Sequence, residues 1–215
     1  MKDPIRDIDE FQLDVLREIS NIGAGNAATS LSKLLGVPVD MNVSRVMPLH
    51  FHEILEYVGG AENIVATVFL RIQGDISGNM FFVIETETAK KMIRGMLGTI
   101  KDDEFSEMGF SVLQEIGNIL SGSYLTALSD FTGLDLQPSV PSLAIDMAGA
   151  LLGEGLMELG RSGDYAILID AAIKIRNTLE ESVVENGGGH FFLLPDPESF
   201  EKLFVSLGVQ KHGSN

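Results

Sequence analysis

The chain has no cysteine and no tryptophan, carries 15 Lys and Arg against 31 Asp and Glu, and nowhere holds an apolar run of the ~18 residues that a membrane helix needs. Without cysteine there are no disulfides, no thiolate metal sites and no cysteine nucleophile. The net charge of -16 repels polyanions, so neither nucleic acid nor an anionic membrane surface is an expected partner. The opening "MKDPIRDIDE" lacks an apolar segment, so no signal peptide is expected and the expected location is the cytoplasm. A globule of 215 residues buries roughly 70% of its unfolded surface, enough for a sizeable core without staples.

What is present is one pattern written twice. From Phe11, the residues Leu13, Leu16, Ile19 and Ile22 recur at helical spacing, and the run continues through an alanine-rich stretch to Gly36, which suits a helix stop. Strand-like runs follow at "VPVDMNVSRV", "NIVATVFLRIQG" and "GNMFFVIE", the last two split by the turn-like "GDIS", and then a helical "TETAKKMIRGML" before Gly98. The order returns from Phe105: a long helical run, "LDLQPSV", "DYAILIDAAIKI", "GGHFFLLP" and a helical "DPESFEKLFVSLG". The two long helices align at one constant offset, Glu18 with Glu115, Asn21 with Asn118, Gly25 with Gly122 and Gly36 with Gly133. This self-similarity predicts an α/β fold from a duplicated unit, with one shared, mostly antiparallel sheet flanked by the two long helices. The expected organisation is a single unit over 9–210, with repeats at about 9–100 and 104–210 and loosely ordered tails at 1–8 and 211–215.

The second copy contains an insertion around "PSVPSLAIDMAGALLGEGLMELG", read as an extra helix from about Ile145 to Leu159. It either covers the core or presents a protein-binding surface, since the first copy has nothing equivalent.

Both long helices carry a polar stripe. "DVLREISNIGAG" holds Asp14, Glu18, Asn21 and Gly25, and "SVLQEIGNILSG" holds Ser111, Glu115, Asn118 and Gly122. At about 100° per residue, the four positions of each set fall within roughly 60° around the helix. Burial of the Leu and Ile positions is expected to leave the stripe facing solvent. Single polar residues on such a face are ordinary, but the same Glu, Asn and Gly recur twice in one chain while the strands differ. Asn is a poor helix former, and a helix-interior Gly costs up to about 1 kcal/mol, so both are retained at a local cost. The glycine beside each Asn would let another backbone approach closely.

On these residues the chain resembles the CheC family of chemotaxis phosphatases, relatives of CheX and FliY, over about Asp9 to Gly208. The doubled motif sets it apart from CheX-like proteins with one motif, and no C-terminal switch domain of the FliY kind is expected. The resemblance implies hydrolysis of the aspartyl phosphate of the response regulator CheY. Asn21 and Asn118 would orient the attacking water and Glu18 and Glu115 would pair with the regulator's lysine, with Asp14, Ser111, Gly25 and Gly122 in support. Such chemistry needs neither nucleophile nor metal from this chain, because the regulator supplies the divalent metal (Mg), and an amide has the donor and acceptors that fix a water. The resemblance also implies binding of the receptor deamidase CheD, placed near Asp146, although Asp146 equally suits an N-cap. The expected state is a monomer. A non-catalytic adaptor that binds CheD or CheY without dephosphorylation is the alternative.

Two other patterns are set aside. "GAGNAA", Gly23 to Ala28, spells a dinucleotide fingerprint, but the run before it is helical, so no strand presents a turn to a phosphate. "HFHE", His50 to Glu53, reads as a surface strand rather than metal ligands.

Overall fold

The computed structural model describes residues 5–98, 105–152, 164–175 and 188–209. The first long helix, α1 (Glu10–Leu35), starts at Asp9, whose side chain accepts from the Gln12 N–H while the Gln12 side chain caps the Asp9 N–H in return. The second, α4 (Glu107–Thr132), is capped by Ser106. Gly36 and Gly133 end the two helices with φ of 66° and 68°, a left-handed conformation that glycine adopts without a Cβ penalty.

Between them lie β1 (Val39–His50), α2 (Phe51–Tyr57), β2 (Ile64–Gly74), β3 (Gly78–Glu85) and α3 (Thr86–Leu97). After α4 come β4 (Leu136–Pro138), β5 (Ser142–Met147), a helical turn over 148–152 termed α5, β6 (Tyr165–Ile175), β7 (Gly188–Pro195) and α6 (Pro197–Ser206). The seven strands form one sheet in the order β1-β6-β7-β3-β2-β4, with β5 also on β2 and every pairing antiparallel. The first strand of each half therefore hydrogen-bonds to the hairpin of the other: β1 to β6, and β4 and β5 to β2.

Burial on both faces explains why β3 reads as a continuous apolar run. One face packs under α1, α3, α4 and α6 through Val68, Phe82, Ile169 and Phe191, against Leu16, Ile93, Leu113 and Leu203. The opposite face, with Phe81, Leu168 and Phe192, is covered by Ile54 and Val58 of the α2 region and by Ala148 and Leu152.

Close contacts seat the long helices. A Cβ placed on Gly23 would lie 3.1 Å from the Tyr124 Cα, and one on Gly117 would lie 2.7 Å from a Val68 methyl. The first is a helix-helix approach and the second a helix-sheet approach, each needing the missing side chain. The Tyr124 hydroxyl is buried beside this crossing without a hydrogen-bond partner of good geometry among the described residues. Burial raises its pKa, and the Ser20 hydroxyl, which itself donates to the Leu16 carbonyl at 2.6 Å, offsets this only in part.

Several expectations change. The fingerprint "GAGNAA" lies inside an unbroken α1, and its Gly23 serves packing. His50 ends β1 and caps α2, so "HFHE" is a helix start in place of a surface strand. The strand β5 continues through Met147, and helix begins only at Ala148, because the edge of β2 pairs with Ser142–Met147. The far end of the expected helix, to Leu159, lies outside the described residues. In the leading tail, Ile5 is buried against the main core, and near the other end the Val209 carbonyl accepts from the Gln12 side chain.

The tip of the β2–β3 hairpin is clamped to α6. Arg71 and Asp196 form a two-pronged ion pair, one arm at 2.9 Å, and the Ser77 hydroxyl donates to Asp196 at 2.6 Å. Burial works to raise the Asp196 pKa, but Arg71 and Ser77 outweigh it and hold the carboxyl below its ordinary value. A depressed carboxyl contributes stability that is present above the unfolded pKa of about 3.9 and is lost as pH falls through the folded value. Urea unfolding of wild type and Asp196→Asn across an acid titration should therefore show a gap at neutral pH that closes below about pH 4; a constant gap would exclude this linkage. A second outcome separates packing from propensity. Gly117→Ala should lower unfolding stability by about 1–3 kcal/mol through overpacking on Val68, whereas Gly25→Ala should be neutral or stabilise by up to about 1 kcal/mol.

Candidate functional site

The polar stripes occupy the outer faces of α1 and α4. Burial of Leu16 and Ile19 in one helix, and Leu113 and Ile116 in the other, fixes which side faces the sheet. Asp14, Glu18, Ser111, Glu115 and Asn118 are exposed, and Asn21 is half-buried. A Cβ added to Gly25 or Gly122 would meet nothing within 4 Å, so both glycines border open space. Ile22, expected on the buried face, is 37% exposed instead, because it falls on the rim beside the stripe.

The carboxylates have unequal surroundings. Asp14 pairs with Arg17 at 2.8 Å on an exposed surface, a contact worth little by itself. Glu18 and Glu115 make no ion pair or side-chain hydrogen bond among the described residues. Two unpaired carboxylates at matching positions leave their acceptor capacity available to an external cation. Ser111 donates back to the Glu107 carbonyl at 3.0 Å, so the first stripe position is occupied differently in each copy.

The two amides differ more sharply. The Asn21 Oδ1 accepts from the Val43 N–H at 2.9 Å, tying α1 to β1 beside a bulge where the register shifts between Val43 and Arg45. At the same offset that aligns the helices, Val140 stands where Val43 does, and it is 89% exposed. The strand is broken there: β4 ends at Pro138 and β5 begins at Ser142, with Pro141 between. Proline lacks an N–H and interrupts a ladder, and in this interrupted stretch the Val140 N–H makes no hydrogen bond to Asn118. The Asn118 side chain accordingly makes no hydrogen bond among the described residues. This inequality was open to the sequence only as the two prolines in "LQPSVPS"; which amide they released depended on the pairing of the strands.

Asp146 is exposed on the edge strand β5, and its carboxylate accepts from the adjacent Met147 N–H at 2.7 Å. It belongs to a strand and sits outside any helix cap, so the N-cap reading is not met. No stripe residue lines the cleft of about 720 Å³ around Arg71, Asp75, Ser77, Asp196, Glu198 and Lys202. Four of its five charged side chains are committed to one another, Arg71 to Asp196 and Lys202 to Asp75. No cluster of three or more His, Asp or Glu side chains suited to a metal occurs among the described residues, and none of their helices is long and apolar enough to cross a membrane.

Comparison with known proteins places this geometry. The profile of the CheC-like family matches residues 11–43 and 108–145, which contain both stripes. The CheY-P phosphatase CheC of Bacillus subtilis is 46% identical over 206 residues, covering 94% of this chain and 96% of that protein. Among solved structures, FliY of Thermotoga maritima superposes with a TM-score of 0.68 at 17% identity, over 95% of this chain and 100% of that one. The middle domain of FliM from Helicobacter pylori gives 0.66 at 16% identity, over 93% and 99%, so the sheet-and-two-helix architecture is common to all three. With the stripes inside the matched segments and close similarity along nearly its whole length, the chain belongs to the CheC-like family.

Proposed function

We propose that this protein is a hydrolase that removes the phosphoryl group from the aspartyl phosphate of the response regulator CheY, using a site on each long helix. The observation that carries the reading is the pair of exposed stripes, each with a glutamate that has no partner among the described residues beside an asparagine, in a chain 46% identical to a CheY-P phosphatase. In this mechanism the Asn118 amide, and Asn21 at the other site, holds a water in line with the phosphorus. The water oxygen bonds to phosphorus, the aspartyl carboxylate leaves, and inorganic phosphate is released. Glu115 or Glu18 accepts a charge-assisted hydrogen bond from the regulator's lysine, which docks the stripe against the acyl phosphate. A divalent metal (Mg) bound by the regulator would supply charge compensation for the phosphoryl group, and Gly122 and Gly25 give the regulator's backbone room. Positioning by an amide and a carboxylate suffices for a modest rate effect, since a hundredfold acceleration corresponds to about 2.7 kcal/mol.

The free amide at Asn118 favours the second site as the faster one. There, both the oxygen and the nitrogen of the amide are available to water, whereas Asn21 shares its oxygen with Val43. The protein acts as a monomer in this scheme. CheD is the second partner, and the exposed edge strand β5 around Asp146 is the surface assigned to it, because β5 pairs only with β2 among the described residues.

Phosphate release from phosphorylated CheY should accelerate with the wild-type protein, and Asn21→Ala combined with Asn118→Ala should abolish at least 90% of that gain, a loss of about 1.4 kcal/mol or more. Full activity in the double variant would remove the stripes from the mechanism, and binding without acceleration by the wild type would favour an adaptor. Of the single variants, Asn118→Ala should cost more activity. Asn21→Ala should cost more stability, about 1–2 kcal/mol, because it leaves the Val43 N–H without its acceptor. Thermal unfolding of both single variants checks the second half of this pair.

A further inference from the structure

Phe11 and Met108 stand at matching positions of α1 and α4, three residues before Asp14 and Ser111. They are the two most exposed large apolar side chains on the long helices, at 66% and 64%. Helix geometry sets each of them roughly 20° around the helix from its stripe glutamate, two turns toward the N-terminus. Ile22, 37% exposed, continues the same rim on α1 beside Asn21.

An isolated exposed hydrophobic residue is common and means little. The pairing is what distinguishes these two. The other exposed residues that follow the same offset lack it: Ile22 aligns with Ile119, Phe131 with Leu34, and Val140 with Val43, and all three of those partners pack against the core. Phe11 and Met108 are exposed in both halves, with different side chains, next to the same Glu and Asn. Their own helices do not need them for packing, since Leu16, Ile19, Leu113 and Ile116 supply the buried faces.

We infer that Phe11 and Met108 are apolar anchors that dock the phosphorylated receiver domain at each site, entering a recess on that protein beside its phosphoaspartate pocket. This inference rests on the phosphatase reading and names the part of the surface that selects the partner. The glutamate accepts from a lysine, the glycine admits backbone, and the anchor contributes the desolvated contact that polar groups on an exposed stripe do not provide. Phenylalanine and methionine suit one recess, because the unbranched thioether of methionine adapts to a pocket shaped for a flat ring. The anchors act on binding, and the amide acts on the reacting water.

The test compares wild type, the double variant Phe11→Ala, Met108→Ala and the double variant Phe11→Leu, Met108→Leu. Two quantities are read: steady-state phosphate release against CheY-P concentration, and affinity for CheY carrying beryllofluoride on its aspartate. The alanine pair should raise both KM and Kd at least tenfold, with kcat within twofold of wild type and an unchanged melting temperature, and the leucine pair should recover most of the affinity. Wild-type KM and Kd in the alanine pair would overturn the anchors while leaving the phosphatase reading intact. Absence of acceleration by the wild type would instead overturn the phosphatase reading, and the affinity arm alone would then decide whether the anchors dock the receiver.

Discussion

The packing of α1 against α4 over the middle of the sheet is the constraint on which the site depends. Gly23 lets the backbone of α4 approach at Tyr124, and Gly117 lets α4 settle onto Val68. A side chain at either position would push the helices apart or off the sheet. With the helices so seated, the Leu and Ile positions are committed to the core, and the rotation of each helix is fixed. Rotation decides everything about a stripe that spans only a narrow angle, because a modest turn would bury a carboxylate or expose a leucine. The buried Tyr124 hydroxyl is a local cost of this arrangement.

The sheet adds a second constraint. Each half sends its first strand to the other half's hairpin, so neither set of strands completes its hydrogen bonding alone. The exchange makes the positions of the two stripes interdependent, and it also makes them unequal. A continuous, bulged β1 brings the Val43 N–H to Asn21, while the strand interrupted at Pro138 and Pro141 leaves Asn118 free. Two helices with nearly the same polar residues thus present one anchored amide and one unanchored amide. Duplication preserved the residues, and the neighbouring strands set their availability.

Much of this was legible in the chain. The long helices, their glycine stops, the β2–β3 hairpin and the final helix follow from helical periodicity, β-rich runs and turn residues, all of which are local signals. The stripe residues were legible for a different reason: their recurrence at one offset separates them from ordinary surface polarity. Asp146 and its neighbours look helical by composition, yet they form β5 because the edge of β2 requires a partner. His50 looks like strand, and does end β1, but it also caps the short helix α2 that covers the second face of the sheet. Ile5 looks like part of a polar tail, yet it is buried. For Asp146 and Ile5 a distant partner outweighed the local pattern, whereas His50 caps through its near neighbours His52 and Glu53.

The sequence by itself determined the two-copy architecture, the lack of cysteine, and the identity of the Glu, Asn and Gly positions, because composition, spacing and repetition are properties of the chain read in order. Only the tertiary structure decided that Gly23 serves packing while Gly25 borders open space, that Asn21 is held by Val43 while Asn118 is not, and that Phe11 and Met108 stay uncovered. Those differences arise between residues far apart in the chain, where burial and hydrogen-bond supply are set by which strand lies next to which helix.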